Sequence, residues 1–294
     1  MSTNSVVVIG LGAMGGAIAV RLKEQGVDVT GYDINPEARE RFRAASGKVA
    51  ADVEVVRTAD TVITSLPNDD NLCASLKEGG VIERLQPHQT FIEMSTTLPQ
   101  TMVDVAESLR SKVRGVVDAP VSGGPNEAKA GKLSILVGVE GKDGDGEGDL
   151  APATRELLSN LGTVHIIGRP GNGKALKLVN NAISLSNTAL AMETFQLGTA
   201  LGLDRETMFK VISTSGGSST MFKKRIPYVL DNDYSARFSV SLAEKDTRLA
   251  LQTAGKLHFP TPLLANVHQR YEAAMAQGLG NEDIVALIKL YVRE

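Results

Sequence analysis

Short apolar runs alternate with amphipathic segments through the first 168 residues of this chain. VVVIG at 6–10 and VDVTGYD at 27–33 have the length and β-branched content of buried strands, and each is followed by a helical pattern. Strands that alternate with helices form βαβ units and a mostly parallel sheet. We therefore predict a Rossmann-like, doubly wound α/β domain over residues 1–170. Further strand patterns occur at 61–67, 90–95, 115–124, 132–139 and 163–168.

The strand patterns stop at about residue 172. Residues 175–202 contain no proline, and their length predicts one long connecting helix at about 172–201. We predict an all-α C-terminal domain over 171–294 that binds substrate and mediates oligomerisation, with the active cleft between the two domains. The remaining helical patterns lie at 203–213, 241–256, 261–278 and 281–292.

The composition limits the classes of partner. The 294 residues carry a formal charge of −3 and no long apolar run, so neither nucleic acid nor a membrane is an expected partner, and a cytoplasmic location is the default. Cys73 is the single cysteine, which excludes an internal disulfide and a Cys-based zinc site. We expect Cys73 to be a small buried hydrophobe, and we predict no metal ligands.

A glycine-rich turn, GLGAMG, follows the first predicted strand and opens the first predicted helix. The first glycine permits a tight turn, the second lets a pyrophosphate approach the backbone, and the third lets the helix pack close to the strand. The helix N-terminus offers free N–H groups and a positive dipole to phosphates. The predicted cofactor contacts in this turn are Gly10, Leu11, Gly12, Ala13, Met14 and Gly15.

Asp33 ends the second predicted strand, where a carboxylate can accept hydrogen bonds from the adenosine ribose. The same carboxylate would repel a 2′-phosphate, and neither Ile34 nor Asn35 supplies a compensating cation. We therefore expect NAD, with NADP less favoured. A helix-capping role for Asp33 is the alternative.

The stretch GRPGNGKALKLVNN at 168–181 nearly matches a phosphate-binding P-loop. Ala175 stands where the P-loop needs a hydroxyl for Mg²⁺, so we reject that interpretation. Read as a helix, the stretch places Lys177 and Asn181 on one face, with Asn180 beside them. A lysine and an amide so placed could hold one oxygen-bearing carbon, and a solvated helix face is the alternative.

Four motifs in this order resemble those of the β-hydroxyacid dehydrogenase family: the turn at 10–15, DAPVSGG at 118–124, GNGKALKLVNN at 171–181 and AEKDTRLA at 243–250. The resemblance extends over nearly the whole chain. It implies an NAD-dependent oxidoreductase that transfers a hydride between the nicotinamide and a small 3-hydroxy carboxylate, with Lys177 as the general acid and base.

The resemblance also implies the remaining site residues. It assigns the substrate carboxylate to Ser122, Gly123 and Gly124, an assisting role to Asn181, and support of the geometry to Asn180. Ser122 and the backbone N–H groups of the two glycines would form an anion-binding nest, although a plain turn is the alternative. For Lys245 the alternative is an exposed ion pair with Asp246. The further cofactor contacts implied are Leu66, Pro67, Thr96 and Lys245.

The mechanism that this implies is consistent with the residue types. Oxidation of a carbinol needs a base for the hydroxyl proton, and burial near NAD⁺ can lower the pKa of a lysine far enough for it to act as that base.

A homodimer or homotetramer is implied by the resemblance. Two alternatives stay open: a non-catalytic NAD-binding regulatory protein, and a reductase of another small carbonyl or imine substrate.

Two segments depart from the family pattern. The acidic, glycine-rich residues 140–149 are predicted to be a flexible hairpin loop, since the glutamate that would complete a calcium loop is absent. Residues 213–225 end in Lys223, Lys224 and Arg225, which we interpret as a solvated charge run. The alternative is that these cations face an anionic group of the substrate.

Overall fold

The structure is a computed structural model that describes residues 5–140 and 148–291. The chain forms two compact units, Met1–Lys177 and Leu178–Glu294. Most of the predicted loop at 140–149 lies outside the described residues, so that prediction is not tested. Within the described ranges, no helix combines the length and the apolarity that a membrane crossing needs.

Among the described residues of the first unit, nine strands form one central sheet in the order β3-β2-β1-β4-β5-β6-β8-β7, with β9 paired to β8. The pairings from β3 to β6 are parallel, as is β8 with β9, whereas β8 is antiparallel to β6 and β7. The predicted Rossmann-like fold class is thereby confirmed. The strands are β1 Ser5–Ile9, β2 Asp28–Tyr32, β3 Lys48–Val49, β4 Thr61–Thr64, β5 Thr90–Glu93, β6 Gly115–Asp118, β7 Val121–Ser122, β8 Leu133–Val139 and β9 Gly162–Gly168.

Helices cover both faces of this sheet. Successive side chains of a strand point to opposite faces, and in β1 the side chains on both faces are apolar and buried. Val6 and Val8 belong to one buried cluster, together with Leu22. Val7 and Ile9 belong to the other. The helices are α1 Ala13–Glu24, α2 Pro36–Ala44, α3 Asp69–Leu76, α4 Val81–Arg84, α5 Pro99–Leu109, α6 Pro125–Lys129 and α7 Pro152–Ser159, with a 3₁₀ helix at Val53–Thr58.

Cys73 is exposed, so the expectation of a buried thiol is wrong. Helix α3 buries Leu72 and Leu76, which lie one turn apart and face the core. Cys73 follows Leu72 directly, and the helical rotation of one residue carries its side chain off that face.

The second unit is helical. It contains most of α8 Asn172–Ala200, whose 29 residues agree with the predicted long helix. The helices that follow pack around one apolar cluster that includes Met192, Phe195, Phe222 and Tyr271. They are α9 Arg205–Ile212, α10 Thr220–Leu230, α11 Val240–Lys256 and α12 Pro262–Ala276, with 3₁₀ helices at Leu279–Asn281 and Ile284–Tyr291.

Two segments of this unit differ from the sequence interpretation. Helix α10 begins inside the stretch 213–225, where Ser219 caps it by accepting a hydrogen bond from the Phe222 N–H. The predicted helix at 281–292 is a 3₁₀ helix over Ile284–Tyr291. Its IVALI run is buried on all sides, so it has no polar face from which the helical period could be read.

Arg225 is buried and not part of a solvated charge run, in contrast to the exposed Lys223 and Lys224. Its Nη1 lies 2.8 Å from Asp283 Oδ2. That oxygen also accepts hydrogen bonds from the backbone N–H groups of Arg237 and Phe238. Asp283 is fully buried, and it stabilises the buried Arg225 guanidinium and two partly buried backbone amides.

We predict that Asp283→Ala lowers the free energy of unfolding of the second unit by about 3–5 kcal/mol, because it leaves the buried Arg225 cation unpaired. Urea unfolding measures this change. Asp231→Ala, at an exposed position of the same unit, should stay within about 0.5 kcal/mol of the unchanged protein. Equal effects of the two substitutions would contradict the assigned pair.

Candidate functional site

The glycine turn connects β1 to α1 with the geometry of a nucleotide-binding loop. Gly10 has φ +93°, and a Cβ there would lie 2.3 Å from the Ser65 carbonyl oxygen. A Cβ at Gly15 would lie 2.0 Å from the Gly10 carbonyl oxygen, so the turn itself requires both glycines. A Cβ at Gly12 would meet nothing within 4 Å. Gly12 is also the N-cap of α1 without a side-chain cap, so this turn leaves open space beside the helix N-terminus.

Asp33 lies directly after β2 and contacts this turn. Its Oδ2 accepts a hydrogen bond of 2.7 Å from the Leu11 N–H, and its Oδ1 accepts one of 2.8 Å from the Asn35 N–H. The helix-capping role belongs to Asn35, whose side chain accepts from the Glu37 N–H at the start of α2. Asp33 therefore fixes the orientation of the glycine turn, and each of its oxygens keeps a second lone pair for a ribose hydroxyl.

A buried ion triad lies where β5, β6 and α8 meet. Lys174 Nζ lies 2.6 Å from Glu93 Oε2 and 3.0 Å from Asp118 Oδ1, and all three side chains are fully buried. Burial alone would lower the pKa of Lys174, but the two carboxylates outweigh it and raise that pKa. Burial raises the pKa of Asp118, although Lys174 opposes the shift.

Hydrogen bonds extend from this triad to the backbone. Asp118 Oδ2 accepts from the N–H of Gly171, which directly precedes α8, at 2.9 Å, and from that of Lys174, in the first turn of α8, at 3.2 Å. Glu93 Oε1 accepts from the Ser95 N–H, and the Ser95 hydroxyl accepts from the Leu66 N–H. The carboxyl ends of three parallel strands and the start of α8 are thus held together, at the edge where α/β sheets bind ligands.

Sequence reasoning missed this triad. It considered Lys174 only as a P-loop lysine, and it gave no role to Glu93 or Asp118. The available signal was that two buried apolar strands, TFIE and GVVD, both end in an acidic residue. A carboxylate at the end of a buried strand needs a partner, and Lys174 supplies it.

The Ser122–Gly124 segment leaves β7 and leads into α6. Gly123 has φ +125°, which a residue with a side chain rarely adopts. The Gly124 N–H donates a hydrogen bond of 2.9 Å to Glu127 Oε2. A carboxylate ligand would therefore have to share this N–H with Glu127 or displace the Glu127 carboxylate from it. The prediction from the sequence gave this N–H to the substrate alone.

Helix α8 places Lys177 and Asn181 one turn apart, and both are buried at 7% and 6% exposure. The Asn181 Nδ2 donates a hydrogen bond of 2.6 Å to Asp246 Oδ2, while its Oδ1 accepts from Asn180 Nδ2 at 3.2 Å. A carboxylate only accepts hydrogen bonds, so Asp246 determines which way the Asn181 amide points.

Lys245 forms the ion pair with Asp246 that the sequence left as an alternative, at 3.0 Å. The pair is not exposed, because the two side chains are 12% and 3% accessible. Asp246 is thus a further candidate site residue. Sequence reasoning treated it only as the neighbour of Lys245, although Asn181 and Asp246 both lie in motifs that carried the family resemblance.

Comparisons with known proteins agree with these features. Residues 5–168 match the family model of the NAD binding domain of 6-phosphogluconate dehydrogenase. Residues 171–291 match that of the NAD-binding domain of NADP-dependent 3-hydroxyisobutyrate dehydrogenase.

Individual relatives cover almost the whole chain. The chain is 34% identical to 2-(hydroxymethyl)glutarate dehydrogenase of Eubacterium barkeri, over 96% of this chain and 93% of that protein. It is 32% identical to L-threonate dehydrogenase of Cupriavidus necator, over 99% and 97%. A structure of Mycobacterium tuberculosis 3-hydroxyisobutyrate dehydrogenase with L-serine superimposes with a TM-score of 0.85 at 27% identity, over 99% and 100%.

The Rossmann-like fold, the glycine turn and these matches define an oxidoreductase that acts on CH–OH groups of small hydroxy acids with a nicotinamide cofactor. A non-catalytic regulator is thereby set aside. The chain belongs to the β-hydroxyacid dehydrogenase family, as its motifs predict.

We predict that Lys174→Met lowers the free energy of unfolding of the first unit by about 3–5 kcal/mol, because it leaves two buried carboxylates without a cation. The raised pKa of Lys174 means that its contribution is fully present below its ordinary value of 10.5 and is lost only as pH rises further. Denaturant unfolding at neutral pH therefore measures the full effect.

The matched control for this prediction is Lys132→Met, at an exposed lysine of the same unit. It should change the free energy of unfolding by no more than about 0.5 kcal/mol. If Lys174→Met proved as stable as this control, the triad would not stabilise the fold.

Proposed function

We propose that this protein transfers a hydride between NAD and the hydroxyl-bearing carbon of a small 3-hydroxy carboxylate, with Lys177 as general acid and base. The observation that carries the proposal is the burial of Lys177 one helical turn from Asn181, whose amide Asp246 orients. A buried lysine beside a fixed amide suits proton transfer at a hydroxyl oxygen.

The relatives' names support the substrate class. 2-(Hydroxymethyl)glutarate, threonate and L-serine each carry a carboxylate and a hydroxyl two carbons apart. We propose that the substrate carboxylate binds at Ser122, Gly123 and Gly124, exchanging with Glu127 at the Gly124 N–H. The family resemblance and the position of this segment a few residues after the carboxyl end of β6 support the assignment.

Proton and hydride take separate routes in the proposed oxidation. Lys177 takes the proton from the substrate hydroxyl in oxidation and returns it in reduction. NAD held at the glycine turn would supply the hydride acceptor or donor. Asn181 donates the second N–H of its amide to the substrate oxygen and so orients it, while Asn180 donates to the Asn181 carbonyl oxygen. Lys177 ends the oxidation as an ammonium and the reduction as a neutral amine, and exchange of one proton with solvent restores its starting state. The same residues therefore serve both directions.

The proposed preference for NAD rests on Asp33. Its carboxylate already accepts two backbone hydrogen bonds, so it stays fixed beside the glycine turn. A 2′-phosphate would meet this charge, and Ile34 and Asn35 give no cation to offset it. The other proposed cofactor contacts are Gly10, Leu11, Gly12, Ala13, Met14, Gly15, Leu66, Pro67, Thr96 and Lys245.

We further propose that the protein forms a homodimer or homotetramer. Helix α8 and the residue after it expose a stripe of large aliphatic side chains at spacings of four and seven residues, which suits a partner helix. The exposed side chains of this stripe are Val179, Ile183, Leu190, Leu197 and Leu201.

The cytoplasmic location expected from the sequence stays a prediction.

Lys177→Ala should reduce kcat by about 10²–10⁴-fold, the usual contribution of a general acid–base group. The assay follows nicotinamide absorbance with NAD⁺ and a panel of 2- and 3-hydroxy acids. Lys132→Ala, at an exposed lysine, should retain the unchanged rate. A kcat close to that of the unchanged protein in Lys177→Ala would refute the assignment of the base.

Asp33→Asn should decrease the preference for NAD⁺ over NADP⁺, expressed as the ratio of kcat/KM values, by about tenfold or more, equivalent to about 1.4 kcal/mol. The amide removes the charge that repels a 2′-phosphate. Asp28→Asn removes an exposed charge from the other end of β2 and should leave the ratio unchanged. An unchanged ratio in Asp33→Asn would show that another residue sets the preference.

A further inference from the structure

Three potential metal ligands meet on α11 and α12, and the proposed reaction uses none of them. Glu244 lies on α11, while His268 and Glu272 lie one turn apart on α12. One donor atom from each lies within 4.8 Å of the others. We call these three residues the Glu–His–Glu cluster.

The tautomer of His268 follows from its contact with Thr247. The Thr247 hydroxyl has one proton, which it donates to the Ala243 and Glu244 carbonyl oxygens at 2.8 and 2.9 Å. With that proton directed at the carbonyls, the hydroxyl accepts at 2.9 Å from His268, and this arrangement assigns the imidazole proton to Nδ1. In the neutral ring, the Nε2 lone pair then points toward carboxylates.

A lone pair that faces carboxylates needs a positive charge between them. The His268 Nε2 lies 3.5 Å from Glu272 Oε1, which is longer than an ordinary N–H···O hydrogen bond. Two donors bound at about 2.1 Å to one tetrahedral zinc ion lie about 3.4 Å apart. The observed separation therefore fits two ligands of one zinc ion, as it also fits an ion pair between a protonated imidazole and Glu272.

The cluster is both held and accessible. The His268 side chain is 11% exposed and oriented by Thr247, in the way that outer hydrogen bonds orient metal-binding histidines. The Glu272 side chain is 47% exposed, so an ion can enter from solvent. Arg248 Nε lies 2.9 Å from Glu244 Oε1, so this cation would compete with the metal for one oxygen of that carboxylate.

We propose that Glu244, His268 and Glu272 bind one divalent transition-metal ion of the zinc type and thereby link α11 to α12. Imidazole and carboxylate ligands select zinc-like ions over Mg²⁺, which prefers all-oxygen sites. Water completes the coordination. No metal ligand is predicted from the sequence, because Glu244 comes from a different helix than the other two residues and the cluster exists only in the folded chain.

The test titrates ZnCl₂ into metal-free, untagged, full-length protein and measures binding by calorimetry. The unchanged protein should bind one ion per chain, and bound zinc should raise Tm. His268→Ala and Glu272→Gln should each weaken binding at least tenfold, and Thr247→Val should weaken it by about 10–100-fold through loss of the orienting hydrogen bond. MgCl₂ should produce no saturable binding.

His165→Ala is the matched control, since His165 is an exposed histidine of the first unit, and its zinc binding should equal that of the unchanged protein. Absence of saturable zinc binding, or equal binding in Glu272→Gln and the unchanged protein, would overturn the proposal. Glu272 is partly exposed, so this variant decides the question even if His268→Ala does not fold. If the proposal is overturned, the contact between His268 and Glu272 is an ion pair without a metal.

Discussion

The buried contact between Lys174, Glu93 and Asp118 is the interaction on which the geometry of the first unit depends. A charge without a partner in a dry interior costs several kcal/mol, so each member of the triad requires the others. Through Asp118 the triad binds the first turn of α8, and through Glu93 and Ser95 it reaches the backbone of Leu66. Because Lys177 follows Lys174 by less than one helical turn, the triad also sets the position from which the proposed base projects.

A second buried carboxylate has the same role in the other unit. Asp246 lies between Lys245, which neutralises it, and Asn181, whose amide it orients. Asp246 accepts a hydrogen bond from Asn181, which the family resemblance places in the site. Asp118 accepts one from the Lys174 N–H, three residues before Lys177. Motif residues in this chain are thus held by acidic side chains that do not themselves have to contact a ligand.

Local patterns predicted much of the fold and part of the site. The strand and helix alternation, the length of α8 and the glycine turn all follow from residues close in sequence. One prediction failed because it depended on a partner far along the chain: Arg225 is buried beside Asp283, 58 residues away, which neutralises it. Two others failed for local reasons. Cys73 is exposed by a helical rotation of one position, and the IVALI run has no polar face to distinguish a 3₁₀ helix from an α-helix. Lys174 lies in the motif at 168–181, but its two partners, Glu93 and Asp118, become its neighbours only in the folded sheet.

The central claim is that Lys177 receives and returns the proton of the substrate hydroxyl. Its most direct test is a crystal structure of the protein with NAD⁺ and a 3-hydroxy acid that it turns over. The account predicts the Lys177 Nζ at about 2.6–3.2 Å from the substrate hydroxyl oxygen, with the carboxylate at Ser122. A lysine side chain directed into solvent, with another group at that distance from the hydroxyl, would contradict it.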